Sequence, residues 1–275
     1  MGKFNLGVTD LRKITGVLSE LGYPDFNDFA LTSLRRQLEM VLLRHNLSGA
    51  DAMVSWISSE SSGIDSLINE LSVETTEMFR DASLWRLLRD KFLPKLALEK
   101  EPVRFLIPGA SSGEDLVSLM ILLKEAGLNT RASVSVTASS RESLNKIKSG
   151  VISKRKMEIN EANYKKFLGT GSLSDYLAGD EYVSFRDSGL MEGVDFIYEK
   201  DILLNFKDKM DFILYRDKLI YFNMVLSNKV LEKMYNNIKL GGYLVIGSGE
   251  SLAHSMVDKQ FQQADPNEKI YRKIR

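Results

Sequence analysis

The chain has 275 residues, with 37 basic and 37 acidic side chains, and is 44% hydrophobic and 27% charged. A chain of this length buries a sizeable core and is read as two globular domains. Its balanced charge supplies no overall field toward nucleic acid or an anionic surface, so no nucleic-acid partner is expected. Cysteine is absent and only His45 and His254 are present, which excludes disulfides, thiolate nucleophiles and histidine-rich or cysteine-ligated metal sites.

No apolar run approaches the roughly 20 residues needed to cross a bilayer. The start, Met1-Gly2-Lys3-Phe4-Asn5-Leu6, lacks the apolar core of a secretory signal. The expectation is a cytoplasmic protein with no direct membrane insertion, working as a monomer.

Residues 1 to about 90 read as helical. Leu11, Ile14, Val17, Leu18 and Leu21 lie on one face of a helix over Val8–Leu21, ended by Gly22 and Pro24. Leu34, Leu38, Val41 and Leu42 repeat the pattern over Leu31–Leu43. Arg35, Arg36 and Arg44 lie elsewhere on that helix, either as a solvated face or as a docking face for an acidic helical partner. Two short helices, 52–57 and 64–71, and a third over Leu84–Phe92 complete this half. Pro94 and Pro102 bracket the expected interdomain connection.

From Arg104 the period changes. Strand-like runs fall at 104–108, 132–138, 194–199, 211–215, 243–247 and 269–274, with helical runs at 114–126, 141–148 and 224–238. Such alternation implies an α/β fold with a mostly parallel sheet covered by helices. Gly241-Gly242 is read as the break after the last long helix. Residues 150–193 interrupt the alternation and read as a small β excursion, with Lys154-Arg155-Lys156 on its solvated surface.

The chain is organised around Arg104-Phe105-Leu106-Ile107-Pro108-Gly109-Ala110-Ser111-Ser112-Gly113-Glu114-Asp115, a short strand, a small-residue turn and an acidic helix start. Gly109 and Gly113 permit a tight turn and close approach of a ligand, at the strand end where nucleotide-type ligands bind in open α/β sheets. The acidic pair disfavours a phosphate there and suits hydroxyls or an amino group. Taken alone, the turn serves equally as an ordinary strand-to-helix connection.

Four stretches together resemble the CheR-type chemotaxis receptor methyltransferases, which use S-adenosylmethionine. Thr76-Glu77-Met78-Phe79-Arg80-Asp81 resembles the family's Thr-x-Phe-Phe-Arg-Asp, and Gly109–Asp115 its Gly-Cys-Ser-Thr-Gly-Glu-Glu turn. Tyr215-Arg216-Asp217-Lys218-Leu219-Ile220-Tyr221-Phe222 resembles Cys-Arg-Asn-Val-Leu-Ile-Tyr-Phe. Gly241-Gly242-Tyr243-Leu244 and Gly247-Ser248-Gly249-Glu250 approximate Gly-Gly-Tyr-Leu and Gly-His-Ser-Glu.

The resemblance implies an all-helical N-terminal domain (1–92), a linker (93–103) and a Rossmann-like methyltransferase domain (104–275) with a small β-subdomain near 165–193. It implies methyl transfer to glutamates on the cytoplasmic helices of chemoreceptors, with S-adenosylhomocysteine as product, and a receptor contact through the β-subdomain. It implies catalytic roles for Arg80 and Tyr221. Cofactor contacts are implied for Thr76, Met78, Arg80, Gly109, Ser111, Gly113, Glu114, Ala138, Ser139, Asp201, Ile202 and Asp217.

A carboxylate acceptor is already anionic at neutral pH, so neither a metal nor a general base is needed, and in-line positioning in a water-poor pocket carries the chemistry. Arg80 would pair with a carboxylate through its guanidinium fork, Tyr221 would orient the acceptor and Glu114 would accept from the cofactor's ammonium. Without the resemblance, Arg80 reads as an interdomain ion pair and Tyr221 as a buried aromatic.

Three positions depart from the pattern. Ala138 stands where the family carries the acid that holds the ribose hydroxyls, a loss of about 1.5–3 kcal/mol of charged hydrogen bonding. Ser139 or Ser140 would be the substitute. Asp217 and Asp201 stand where Asn is usual. These changes support an alternative, a methyltransferase-like receptor-docking module with weakened or lost cofactor binding.

Overall fold

The computed structural model describes residues 5–59, 61–72, 77–96, 98, 101–180, 182–185, 188–200, 206–265 and 267–275. Three expected cofactor residues, Thr76, Asp201 and Ile202, lie outside them. The leading helices follow the apolar spacing. Helix α1 (Val8–Glu20) buries Leu11, Ile14 and Leu18, and α2 (Leu31–Arg44) buries Leu34, Leu38, Val41 and Leu42. Helices α3 (Ala50–Ser59) and α4 (Ser61–Leu71) pack beside them. Helix α5 (Ala82–Leu87) passes through a π-helical turn at Leu88–Phe92 into α6 (Leu93–Leu96). That turn precedes Pro94, whose missing N–H leaves an i−4 carbonyl without its helical donor.

The second half runs β1 (Val103–Ile107), α7 (Glu114–Glu125), β2 (Ala132–Ala138), α8 (Arg141–Ser149), β3 (Ile152–Ser153), α9 (Met157–Phe167), α10 (Leu173–Tyr176), β4 (Leu177–Ala178), β5 (Tyr182–Phe185), β6 (Val194–Tyr198), β7 (Met210–Tyr215), α11 (Met224–Asn237), β8 (Ile238–Ile246), β9 (Phe261–Gln263) and β10 (Ile270–Lys273). Seven strands form one sheet in the order β6-β2-β1-β7-β8-β10-β9. The strands from β6 to β8 pair in parallel, and β10 runs antiparallel to both neighbours.

Period-two alternation divides the core into two layers. Phe105, Ile107, Phe212, Leu214, Tyr243 and Val245 join the cluster of α5, α7 and α9. Leu106, Ile213, Leu244 and Ile246 point the other way and share a cluster with Leu11, Leu34, Met53 and Leu67 of the leading helices and with Leu226 of α11. The leading helices therefore form one of the two layers that cover the sheet. They also cap it: Asp65 of α4 accepts the Arg141 and Glu142 backbone N–H groups at 2.7 and 2.9 Å, closing the first turn of α8.

Two readings need correction, and one strand was missed. Gly241-Gly242 lies inside β8 and does not end a helix, because α11 passes into β8 at Ile238. Gly241 takes φ +82°, and a Cβ on Gly242 would meet Ile238 at 2.9 Å and the Met210 carbonyl at 3.0 Å, where the β7–β8 register shifts. Secondly, the 150–193 interruption is built largely on helix α9, with a three-stranded sheet β3-β5-β4 whose first strand starts at Ile152. The basic run 154–156 opens that helix as a 3-10 turn. The three-residue strand β9 was too short to register as a periodic signal. Among the described residues no helix is long and apolar enough to cross a membrane.

Asp65→Ala is expected to lower unfolding free energy by about 1–2 kcal/mol, because two N–H groups at the start of α8 lose their acceptor. Chemical denaturation monitored by circular dichroism measures this.

Candidate functional site

Strand order reverses between β1 and β7, since the chain steps outward from β1 to β2 and β6, and from β7 to β8. The loops leaving the carboxyl ends of β1 and β7 form the crevice that such a switch point creates. After β1, Gly109 takes the left-handed conformation, φ +59°. The end of β2 pins the bend: Gly109 N–H donates to Thr137 Oγ1 at 2.9 Å, and Ala110 N–H donates to the Thr137 carbonyl at 2.7 Å.

After β7, Arg216 is fully buried. Its Nη1 meets Asp115 Oδ1 at 2.9 Å at the start of α7. Its Nη2 meets Asp81 Oδ2 at 2.6 Å and the Arg80 carbonyl at 3.1 Å. Burial works against the charge, but Asp115, Asp81 and Asp217 outweigh it and leave the guanidinium pKa raised. Trp85 lies 5.9 Å beneath the guanidinium and donates its Nε1–H to the same Arg80 carbonyl at 2.9 Å.

This network delivers Arg80 to the crevice. Phe79 and Asp81, on either side of it, have φ +51° and +56°, strained values for residues with a Cβ. The surroundings enforce them. Met78 N–H donates to Asn160 Oδ1 at 3.0 Å, Asn163 Nδ2 donates to the Met78 carbonyl at 3.1 Å, and Phe79 N–H donates to Ser118 Oγ at 2.9 Å. The Phe79 ring stacks on Phe167 at 4.7 Å. The Arg80 side chain is 37% exposed, and its Nη1 stands 3.5 Å from Asp217 Oδ2.

Glu250 fixes the β7 loop. It is buried and accepts backbone N–H groups from Asp217 (3.1 Å), Leu219 (2.6 Å), Ile220 (3.4 Å) and Gly247 (2.6 Å). Burial pushes its carboxyl up, and the Gly247 and Leu219 N–H groups pull only part of the way back. Between Asp217 and Leu219 stands Lys218, whose Nζ donates to the Pro108 carbonyl at 2.7 Å and lies 3.8 Å from where a Cβ on Gly109 would be. Burial pulls its ammonium down to about 8, against the opposing pull of Asp115, Glu250 and Asp217.

Lys218 lines a cavity of about 70 Å³ with Gly109, Ser139, Tyr23, Lys200 and Tyr215. Tyr221 opens on a separate cavity of about 340 Å³, shared with Arg36, Gln37 and Arg44 of α2.

Of the expected site residues, Gly109 and Ser139 share the smaller cavity, and Arg80 and Asp217 form an ion pair. Gly113 caps α7, Glu114 is its first residue, and Ser111 and Met78 are buried. Ala138 is fully buried and presents no side-chain acceptor. Ser140 does not substitute for it, because its Oγ accepts the Ser143 N–H at 2.9 Å as the cap of α8. Sequence reasoning passed over Arg216, Lys218, Glu250 and Thr137. For Arg216, Lys218 and Glu250 the available signal was their place inside the matched motifs, above all a lysine where the motif carries valine; Thr137 lies outside them and had no such signal.

The bend without a Cβ fits an adenosyl ligand, and Arg80 fits a carboxylate. The end of β2 and the Lys218 ammonium fit poorly with ribose hydroxyls and a sulfonium. Among the described residues no cluster suited to a metal occurs.

Strand order and bend together define a Rossmann-like methyltransferase fold. The chain belongs to the family described as CheR methyltransferase, SAM binding domain, which residues 74–270 match. It is 27% identical to chemotaxis protein methyltransferase 1 of Vibrio cholerae over 218 residues, 76% of this chain and 75% of that one. It is 24% identical to the chemotaxis protein methyltransferase of Borreliella burgdorferi over 274 residues, 91% and 92% of the two chains. The N-methyltransferase NodS of Bradyrhizobium japonicum, solved with S-adenosyl-L-homocysteine, aligns over 72% of this chain and 89% of its own at 11% identity and a TM-score of 0.38.

Arg216→Met is expected to cost about 3–5 kcal/mol, because it leaves Asp81 and Asp115 without their buried counter-charge; equilibrium unfolding in urea measures it. Lys218→Met is expected to stabilise. Below about pH 8 the folded and unfolded chains both carry the Lys218 proton. Between there and the ordinary lysine range only the unfolded chain still binds it, so the wild type gains stability as pH rises through that window. The variant's advantage, at most about 3 kcal/mol at pH 7, should shrink to near zero by the upper end. Melting temperatures of both proteins across pH 7–10.5 check the sign.

Proposed function

We infer that this protein methylates glutamate side chains on the cytoplasmic helices of chemoreceptors, working in the cytoplasm as a monomer. The observation that carries the reading is Arg80 held at the β1–β7 switch point, 3.5 Å from Asp217, by a network centred on the buried Arg216. S-adenosylmethionine, when bound, supplies a methyl group on a sulfonium, which a carboxylate attacks directly. The residues suited to hold it are Gly109, which lets a ligand approach the backbone, Glu114 for its ammonium and Ser139 at the ribose side.

Arg80 is placed to orient a carboxylate by a two-point contact, exchanging its long contact with Asp217 for a shorter one. Tyr221 lines the second cavity, where Arg36 and Arg44 of α2 are exposed. Glu70 shares that lining and pairs with Arg44 at 2.9 Å, so Arg36 is the cation that an acidic receptor helix would meet, and the phenol would then orient the acceptor oxygen. Positioning of this kind, without acid–base chemistry, is sufficient for transfer to an anionic oxygen.

A second reading, a receptor-docking module with lost turnover, draws support from Ala138 and from the ammonium of Lys218 beside the bend. Radiolabelled methyl transfer to a receptor cytoplasmic fragment, scored as base-labile ester, separates the two. Under the first reading Arg80→Ala lowers kcat/KM by about 100-fold or more and Tyr221→Phe by about 10-fold. Receptor binding without any ester from the wild type would leave only the second.

A further inference from the structure

We propose that Tyr23, carried by the helical half, supplies the ribose contact of the adenosyl site, its phenol standing in for the acid that Ala138 lacks. The inference rests on the reading that an adenosyl ligand lies over the Gly109 bend.

In open α/β folds an acid near the end of the second strand holds the ribose of a ligand seated on the first turn. Here that place is built differently. Ala138, the last residue of β2, stands beside Tyr198 of β6 in the parallel register. The Tyr198 hydroxyl lies 3.2 Å from the Tyr23 hydroxyl, which also donates to the Ser139 carbonyl at 3.5 Å. Tyr23, Ser139 and Gly109 line one cavity, so the Tyr23 phenol faces the bend from the side where β2 ends.

The local sequence sends Tyr23 there. Helix α1 stops at Gly22, whose φ of +94° is left-handed, and the Tyr23 N–H closes back on the Leu18 carbonyl at 2.8 Å, the hydrogen bond of a Schellman stop. Lys200 fastens this turn to the end of β6. Its Nζ donates to the Leu21 carbonyl at 3.0 Å and lies 5.1 Å over the Tyr23 ring. Beyond Tyr23, the 3-10 turn Pro24–Asp28 is tied to the chain that leaves β7. Asn223 donates its N–H to the Asp28 carbonyl at 2.9 Å and its Nδ2 to the Asp28 carboxylate at 3.1 Å. The tyrosine is therefore held on both sides, and it is 4% exposed.

A phenol both donates and accepts, as a ribose hydroxyl does, whereas a carboxylate only accepts. The two contacts of the Tyr23 hydroxyl are long for O–H···O bonds, so a ribose hydroxyl seated beside it offers a shorter one. Such a bond is neutral and weaker than the charged bond an acid would make. The helical half is thereby a wall of the adenosyl site as well as a cover for the sheet.

The test is calorimetric titration of the full chain with S-adenosylhomocysteine and with its 2′-deoxy and 3′-deoxy analogues. The wild type should bind at least one analogue about five-fold more weakly than the parent ligand. Tyr23→Phe should weaken the parent by about the same factor and leave that analogue within about two-fold. Phenylalanine keeps the ring beneath Lys200, and melting curves verify that the variant is folded. Parent affinity unchanged or higher in Tyr23→Phe, an equal loss for all three ligands, or a wild type indifferent to both hydroxyls would overturn the proposal and leave the adenosyl site standing. Failure of the wild type to bind S-adenosylhomocysteine even at millimolar concentration would remove the site and the proposal together.

Discussion

The crevice depends on one buried cation. Arg216 joins three segments that are remote in sequence: the loop carrying Arg80 and Asp81, the first turn of α7, and the end of β7. A guanidinium suits this task because its donors lie in one plane and point in fixed directions. Two carboxylates and a carbonyl take its two terminal nitrogens, its Nε has no hydrogen-bond partner among the described residues, and the Trp85 ring closes one face. A charge this deeply buried is tolerated only when so paired, and each partner is thereby held in place. Arg80 is presented to the crevice by its own carbonyl, which Arg216 and Trp85 both hold, and its side chain is left half free for a ligand.

Glu250 is the counterpart with opposite charge. It gathers backbone N–H groups from the ends of β7 and β8, so the loop that bears Asp217, Lys218 and Tyr221 has little freedom. Asp217, with φ +58°, is strained in the same way as Phe79 and Asp81. The left-handed residues of this region therefore flank Arg80 and precede Lys218, and each is held by a remote side chain: Phe79 by Ser118, Asp81 by Arg216 and Asp217 by Glu250.

Much of the fold was legible because local pattern and global architecture agree. The alternation of Phe105, Leu106 and Ile107, or of Phe212, Ile213 and Leu214, announces strands buried on both faces, and the sheet uses each face for a different core. Legibility failed where tertiary contact decides the outcome. Helix α9 has its buried side chains, Asn160, Tyr164 and Phe167, spread among polar neighbours, and its role is to hold the Arg80 loop. Gly241-Gly242 looks like a helix stop, yet its reason is the close approach of the β7 backbone. At the site, the motifs located Gly109, Arg80 and Asp217. Which charges oppose each other across the crevice follows only from three-dimensional neighbours, and Lys218 is the clearest instance.

The Arg80 loop has an origin late in the growth of the chain. Met78 relies on Asn160 and Asn163, partners 82 and 85 positions downstream, and Asp81 relies on Arg216, 135 positions away. Local bonds to the Arg80 and Asp81 carbonyls, from Trp85 and Leu84, leave the Met78 and Phe79 N–H groups to the remote Asn160 and Ser118. A nascent polypeptide that has displayed its helices and first strands still lacks these anchors, and the loop relaxes until they arrive. Closing such distant contacts is the slow part of assembling a chain, and the loop that presents Arg80 depends on them.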